Sequence, residues 1–447
     1  MRGRVHFVNR YFAPDQSATS QILTGVANDL ARRGYDVMVT ASRQLYEDPK
    51  SQLARDQVVG RVKVHRVRTT CYGRRGLIGR LLDYCCFYLG AAKQVWKVTR
   101  PGDVVIAKTD PPLLSLIIAP IARLRGAIYV NWLQDVFPEV AGAVNLGGRA
   151  GHLAWPALRW GRNLSLRLAD TNVAIGERMA EFLEAQGIGG DRIDVIQNWA
   201  DQGHEAPSKA AVADLRRAWG LDGKFVVGYA GNLGRVHEID TVLDAMERLQ
   251  TMAANDANAR DLTFLFVGGG AKRAYFEAEM VRRGLTNVVL KPYQPADELG
   301  ATLAVADVHL VTLLPELEGL VVPCKFYGIA AAGRPTVFVG SEHGEIARLI
   351  RRHDCGRAVG VGQSEALANT LLSLSRDPAS VLSLGRHARA AFAAFFDKSF
   401  AVQQWAHLID TLQAAPVASP AAAEPVAAGE TAPHVAPVRP GAGELAA

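Results

Sequence analysis

Short apolar and β-branched runs alternate with longer segments whose apolar residues recur at helical spacing along the first 200 residues. VHFVN (5–9) precedes the amphipathic ILTGVANDLARRGYD (22–36), and VMVTAS (37–42), DVVIAK (103–108), AIYVNWL (127–133), NVAIG (172–176) and IDVIQN (193–198) follow. Runs apolar at nearly every position suit strands covered on both faces, and their alternation with helices predicts βαβ units around a parallel sheet. A polar, helix-prone stretch at 204–224 reads as a linker and the entry to a second domain. The alternation then restarts with FVVGYAGNLG (225–234), LTFLFVGGG (262–270), NVVLKPY (287–293), VHLVTLL (308–314) and PTVFVG (335–340). The pattern therefore predicts an α/β protein of two facing, doubly wound, Rossmann-like domains, 1–203 and 204–398. A helix at 399–413 should pack on a domain or cross back to the first. The Ala/Pro-rich 414–447 lacks periodicity and the apolar content to repay ordering, and is expected to be disordered.

Composition narrows the partners. A chain of 447 residues, 49% hydrophobic and 21% charged, can bury a large core. Its formal net charge of +6 favours an anionic partner: nucleic acid, a phospholipid surface or a phosphorylated substrate. The basic residues are spread out and no nucleic-acid module is recognisable, so nucleic acid is set aside. Cys71, Cys85, Cys86, Cys324 and Cys355 form no C-x-x-C pair, which fits a reducing cytoplasm. The N-terminus enters a strand without the layout of a signal peptide, and the longest apolar stretches fall short of the roughly 20 residues that span a bilayer. Stretches 74–100 and 152–170 interleave aromatic, aliphatic and basic residues. They either cover the first sheet or touch an anionic membrane surface.

Ligands in doubly wound sheets sit beyond the carboxyl ends of the strands, so chemistry is sought there. GYAGNLGRVHEID (228–240) ends a strand in glycines and opens a helix near Glu238, whose N-terminus is expected to favour the charge of a phosphate. Backbone at Gly231, Asn232, Leu233 and Gly234 can approach a phosphate, with Arg235 and His237 adding charge; a tight turn without ligand is the plain alternative. Gly268 begins a second glycine loop, and Tyr293, after the next strand, either meets a base or merely connects elements. In PELEGLVVPCKFYGIAAAGRPTVFVG (315–340), Glu318 can hold sugar hydroxyls, the amides of Gly319, Leu320, Val321 and Val322 can hold phosphate, and Lys325 can neutralise a departing diphosphate. Alternatively Glu318 and Lys325 are solvated surface charges. In the first half, Ser17, Ala18 and Thr19 either leave room for a ligand or cap a helix. Asp110, Gln134, Asp135 and Glu139 stand at strand ends, suited to sugar binding or to structural capping. No D-x-D motif or other metal-binding pattern occurs.

Taken in order, YFAPDQSATSQ, TDPPLLS, QDVFPE, QNWAD, GNLGRVHE and VVPCKFYGIAAAGRP resemble the GT-B-fold glycosyltransferases of family 4, over nearly all of 1–413. Within the family the chain resembles the branch that builds cell-surface polysaccharides such as colanic acid and O-antigen. The resemblance implies metal-independent, retaining transfer from a nucleotide diphosphate sugar, with no cofactor beyond that co-substrate. It places the donor in the second domain and the acceptor, expected to be a lipid-linked saccharide, in the first. Glu318, Lys325, Arg235 and Asp135 are the expected catalytic set. The family commonly carries two glutamates separated by seven residues; Glu318 fits the first, and Gly328 is expected to occupy the place of the second. Asn232 and His237 stand where relatives often have Arg and Lys, and Gln134 where a histidine often precedes the aspartate. A non-hydrolysing nucleotide-sugar epimerase and a catalytically silent nucleotide-sugar-binding partner are the rival readings.

Overall fold

The computed structural model describes residues 2–73, 76–144, 148–200 and 207–414, without the side chains of 77, 148–153 and 296. The expected domain boundary at 203/204, the tail from 415 on, and Arg74 and Arg75 of the basic stretch lie outside the described residues.

The apolar runs form strands where expected. The first half contains β1 (Arg4–Val8), β2 (Asp36–Ser42), β3 (Asp56–Val59), β4 (Val62–Val67), β5 (Val104–Lys108), β6 (Ile128–Trp132), β7 (Thr171–Ala174) and β8 (Ile193–Val195). They make an eight-stranded sheet in the order β3-β4-β2-β1-β5-β6-β7-β8, parallel except for β3 against β4. The second half contains β9 (Phe225–Ala230), β10 (Leu262–Val267), β11 (Val288–Lys291), β12 (Val308–Thr312), β13 (Thr336–Val339) and β14 (Gly356–Val359). These form a six-stranded parallel sheet, β11-β10-β9-β12-β13-β14. Each sheet is a Rossmann-like doubly wound layer. The chain order reverses between β1 and β5 in the first and between β9 and β12 in the second, and such switch points are where ligands enter.

Packing fastens the halves together. Leu133, Val136, Ile175, Met179 and Leu183 of the first half share a core with Leu317, Leu320, Val322, Phe326 and Ile346 of the second. The Val136 amide donates to the Leu320 carbonyl at 3.0 Å, and Asp135 makes an antiparallel bridge to Val321. The last helix, Lys398–Ala414, buries Val402, Trp405 and Ile409 against the first sheet, where the Trp405 and Trp132 rings lie 4.6 Å apart. Tyr35 donates to the Ala406 carbonyl at 3.1 Å, so a helix following the second sheet completes the first.

Candidate active site between the two sheets

In the second half, β9 is followed by Gly231, whose φ of 117° lies where side chains are strained. A Cβ there would come within 3.1 Å of Lys325 Cε, and one on Gly268 would meet the Gly231 carbonyl at 2.4 Å. The two glycine loops thus touch backbone to backbone. Their contact is fixed by the Leu233 amide donating to Gly269 at 2.6 Å and the Lys272 amide donating to Leu233 at 2.9 Å. The amides of Asn232, Gly234 and Arg235 take no acceptor among the described residues, which leaves a backbone cradle open to an anion.

Lys325 stands beside that cradle. Its Nζ lies 3.8 Å from the centre of the Tyr229 ring, donates to the Tyr229 hydroxyl and to the Asn232 carbonyl (2.9 Å), and is 3.2 Å from His237 Nε2. His237 Nδ1 donates to the Thr312 carbonyl at 2.8 Å, which leaves Nε2 as the acceptor facing the ammonium. Burial, reinforced by Lys325, pushes His237 down to about 3, so it is neutral. It orients the lysine and brings no charge of its own. Burial also pushes Lys325 down to about 7, only weakly opposed by Cys324. An arriving diphosphate would supply the counter-charge that this ammonium lacks. Arg235 is exposed at the outer end of the same loop. Tyr293, 60% exposed, stands with its ring against Gly268 and Gly269.

Two expectations for this half need correction. The helix Asp240–Met252 does not offer its N-terminus to a phosphate, because Glu238 fills it, accepting from the Thr241 amide at 2.9 Å. Nor is the segment 319–322 a ring of free amides: Leu320 and Val321 both donate to the Leu317 carbonyl, at 3.0 and 3.2 Å. Glu318 is turned into the interface between the halves. Its Oε2 accepts from the Glu345 amide at 3.1 Å, and Oε1 is sealed from solvent without a partner. Burial pushes this carboxyl up to about 7. Glu345 in turn accepts from the Arg178 amide at 2.9 Å, so one carboxylate holds a helix start in its own half and the next holds a helix start across the interface. As for a second glutamate, a spacing of seven intervening residues leads from Glu318 to Phe326, which is fully buried, and not to Gly328. Gly328 is the one of the two that lines the cleft.

In the first half, Asp110 follows β5 at the switch point. Burial pushes it up to about 6, against the pull of Arg10. Its carboxylate takes no hydrogen bond from any described residue, although the Arg10 amide donates to its carbonyl oxygen at 2.9 Å. Arg10 itself is held between the Tyr11 and Tyr84 rings, 5.2 Å from each, with Asp83 at 3.7 Å. Behind Asp110, Lys108 is buried, donates to the Thr19 carbonyl at 3.0 Å and lies 4.3 Å from the centre of the Trp132 ring. Burial pushes it down to about 7, with Asp110 and Asp135 acting the other way. Asp135 is raised by burial and keeps Oδ1 without a partner, as does Gln134 its Nε2. Glu139 is not beside these acids, for it pairs with Arg162 at 2.8 Å and Arg159 at 3.2 Å. Ser17 stands at the N-cap of the helix Ala18–Arg32 but spends its side chain on Asp15 and makes no side-chain capping bond, while the Thr19 hydroxyl reaches Asn9 at 3.4 Å.

A cavity of about 650 Å³ lies between the two halves, lined by Ala18, Gln21 and Trp199 from the first and by Gly231, Leu303, Cys324, Lys325 and Gly328 from the second; Lys108, Asp110 and Asp135 are not among its lining residues. That volume suits a ligand of nucleotide size. Arg10, Lys108, Tyr229 and the cavity-facing Cys324 stand among these groups, and reading the sequence did not single them out. The only available signal was a lysine ending the otherwise apolar run DVVIAK. Among the described residues, no three His, Cys, Asp or Glu gather as a metal site would need.

Residues 18–199 match the model of a glycosyl transferase 4-like domain, and residues 224–377 match that of glycosyl transferases group 1. WcaI of Escherichia coli (strain K12), a glycosyl transferase named for colanic acid biosynthesis, is 26% identical over 76% of this chain and 83% of its own length. WbjE of Pseudomonas aeruginosa, named a probable glycosyltransferase, is 29% identical over 56% of this chain, and the match spans 60% of WbjE, less than two thirds. Anabaena HepE, solved with UDP and again with UDP-glucose, superposes with TM-scores of 0.68 and 0.67 at 16% identity, covering 91% of this chain and 100% and 99% of HepE. WaaG, a glycosyltransferase involved in lipopolysaccharide biosynthesis, gives 0.64 at 14% identity, over 91% of this chain and 99% of WaaG. With one domain model on each sheet, in the order the two halves require, the chain belongs to the GT-B glycosyltransferases of family 4.

Proposed function

We propose that this glycosyltransferase moves a sugar, with retention of configuration, from a nucleotide diphosphate sugar to a lipid-linked saccharide during cell-surface polysaccharide synthesis. The observation that carries the reading is the pairing of Lys325 with the open amides of Asn232, Gly234 and Arg235 at the switch point of the second sheet. Charge builds on the diphosphate as the glycosidic bond breaks, and a cation and fixed N–H groups in a water-poor cleft stabilise that charge. Gly231 lets Lys325 approach, His237 holds it, and Arg235 closes the outer side. Tyr293 offers a ring to the base. Across the cleft, Asp110 orients the acceptor hydroxyl, with Asp135 and Gln134 as neighbours and Arg10 steadying the carboxylate. Ala18 leaves space for the sugar. Transfer proceeds on the face from which the diphosphate departs, its oxygen taking the acceptor proton, and needs no metal. The solved complexes of HepE with UDP and UDP-glucose support the donor class, and the names of WcaI and WaaG support the pathway.

The test is to incubate the chain with a panel of nucleotide sugars and lipid extract from a polysaccharide-producing bacterium, in the presence of EDTA, and to isolate any glycosylated lipid. A new linkage with the donor's anomeric configuration by NMR is expected. An inverted linkage would refute retention, and a product formed only when divalent metal is restored would refute metal independence. An epimerised nucleotide sugar without transfer would favour the epimerase.

A further inference from the structure

The first sheet carries, on one side, three neighbouring helices whose outward surface has no role in sugar transfer: Leu77–Val98, Ser115–Leu124 and Gly148–Leu168. The first of them is apolar on both faces. Phe87, Ala91 and Val95 are fully buried against the sheet. On the opposite side Ile78, Leu81, Leu82, Cys85, Leu89 and Trp96 follow the 3.6-residue period along one stripe and all are exposed, Ile78 at 78% and Leu89 at 73%. Leu124 and Trp160 extend the exposed apolar surface onto the two adjacent helices, Trp160 at 69%. A helix facing water on one side normally turns polar residues outward, and this one does not.

Charge on these helices has one sign. Their sole acid is Asp83, buried at 2% exposure beneath the stripe. Arg80, Lys93, Lys97 and Arg167 are exposed and pair with no carboxylate among the described residues. Arg123 and Arg159 are matched by Asp170 and Glu139 at the border. No described helix is long and apolar enough to cross a membrane. An outward apolar stripe that includes a tryptophan, with the unpaired Lys93 and Lys97 beside it, has the composition of a helix that lies in a lipid headgroup layer. A second copy of the chain fits poorly, because face-to-face pairing would oppose like charges with no acid between them.

We propose that this three-helix face docks the protein onto an anionic lipid surface, with Ile78, Leu81, Leu82, Leu89, Trp96 and Trp160 entering the headgroup region and Lys93 and Lys97 meeting lipid phosphates. The claim is independent of the sugar-transfer reading. A chain without transferase activity would still bind membrane, and one that transfers sugar to a soluble acceptor need not.

Co-sedimentation with vesicles of phosphatidylcholine, and of phosphatidylcholine mixed with phosphatidylglycerol, tests it. The protein should pellet with the anionic vesicles, about ten-fold more weakly with the neutral ones, and progressively less as salt rises. Replacing Leu81 and Leu89 together with aspartate should abolish pelleting while the melting transition is kept; Lys93→Glu with Lys97→Glu should weaken it several-fold and serves if the first variant misfolds. Three results would overturn the proposal: wild-type protein left in the supernatant with both vesicle types, pelleting unchanged in the variants, or a dimer in mass photometry that the aspartates dissociate, which would give the face to a second copy.

Discussion

In the proposed reaction, Lys325 is the residue on which the chemistry turns. Its ammonium is surrounded by uncharged partners, so the diphosphate is the natural source of compensating charge, and one further negative charge develops on it as the bond to the sugar breaks. Lys325→Ala should therefore lower kcat about 10²- to 10³-fold while changing the donor KM much less. Because burial holds the free lysine near 7, kcat/KM for the donor should fall above about pH 7 as the ammonium loses its proton, and Lys325→Arg should remove that fall. A pH profile that is flat from 6 to 9 would show that the charge of Lys325 is not used. The proposal gives Asp110 to the other substrate. Asp110→Asn should reduce kcat/KM for the acceptor about 10- to 10²-fold and leave nucleoside diphosphate affinity, measured by calorimetry, where it was.

The sequence allowed Lys325 and Asp110 to be singled out because each follows a strand or a signature loop. It hid Arg10 and Lys108 because a buried cation looks, in sequence, like any surface one. It also misdirected Glu318: the spacing that marks a donor ligand in relatives cannot show that the carboxyl turns toward the helix beginning at Glu345.

Elements were legible where both faces of a strand are covered, since the apolar run is then unbroken. β3 and β4 escaped notice because Asp56–Val59 is an edge strand with polar positions, and its partner carries Lys63 and Arg66 within an apolar frame. β14 was missed because Gly356–Val359 is four residues with an arginine inside. The helix Glu345–His353 is the element whose placement has the clearest consequence. Glu318 at its start is near Glu345, Arg178 and Arg348, and burial outweighs these neighbours. A carboxyl raised to about 7 in the folded protein, above its ordinary 4.5, keeps its proton more firmly when folded. Its contribution to stability is complete below about pH 4.5 and is lost as pH climbs through 7. Glu318→Gln, which can still accept from the Glu345 amide, should raise Tm at pH 8 and leave it nearly unchanged at pH 5. An equal shift at both values would show that ionisation of Glu318 is not the cause.

At the scale of the molecule, two sheets with facing switch points are closed by a helix that follows the second sheet and packs on the first. Trp405 anchors that closure, fully buried against Trp132. Trp405→Ala should cost about 3–5 kcal/mol in chemical denaturation, and a loss under 1 kcal/mol would mean that the helix is only loosely attached. The sequence signalled a helix there but could not choose its surface, because amphipathic spacing states which side is buried and not what buries it. The central claim is that the cleft between the sheets binds a sugar nucleotide and passes the sugar to an acceptor. Nucleoside diphosphate release, followed continuously with matched donor in the presence and absence of lipid-linked acceptor, tests that claim most directly. Release that requires both substrates and collapses in the Lys325→Ala variant is the predicted result; no release with any donor, or the same rate with acceptor withheld, would contradict it.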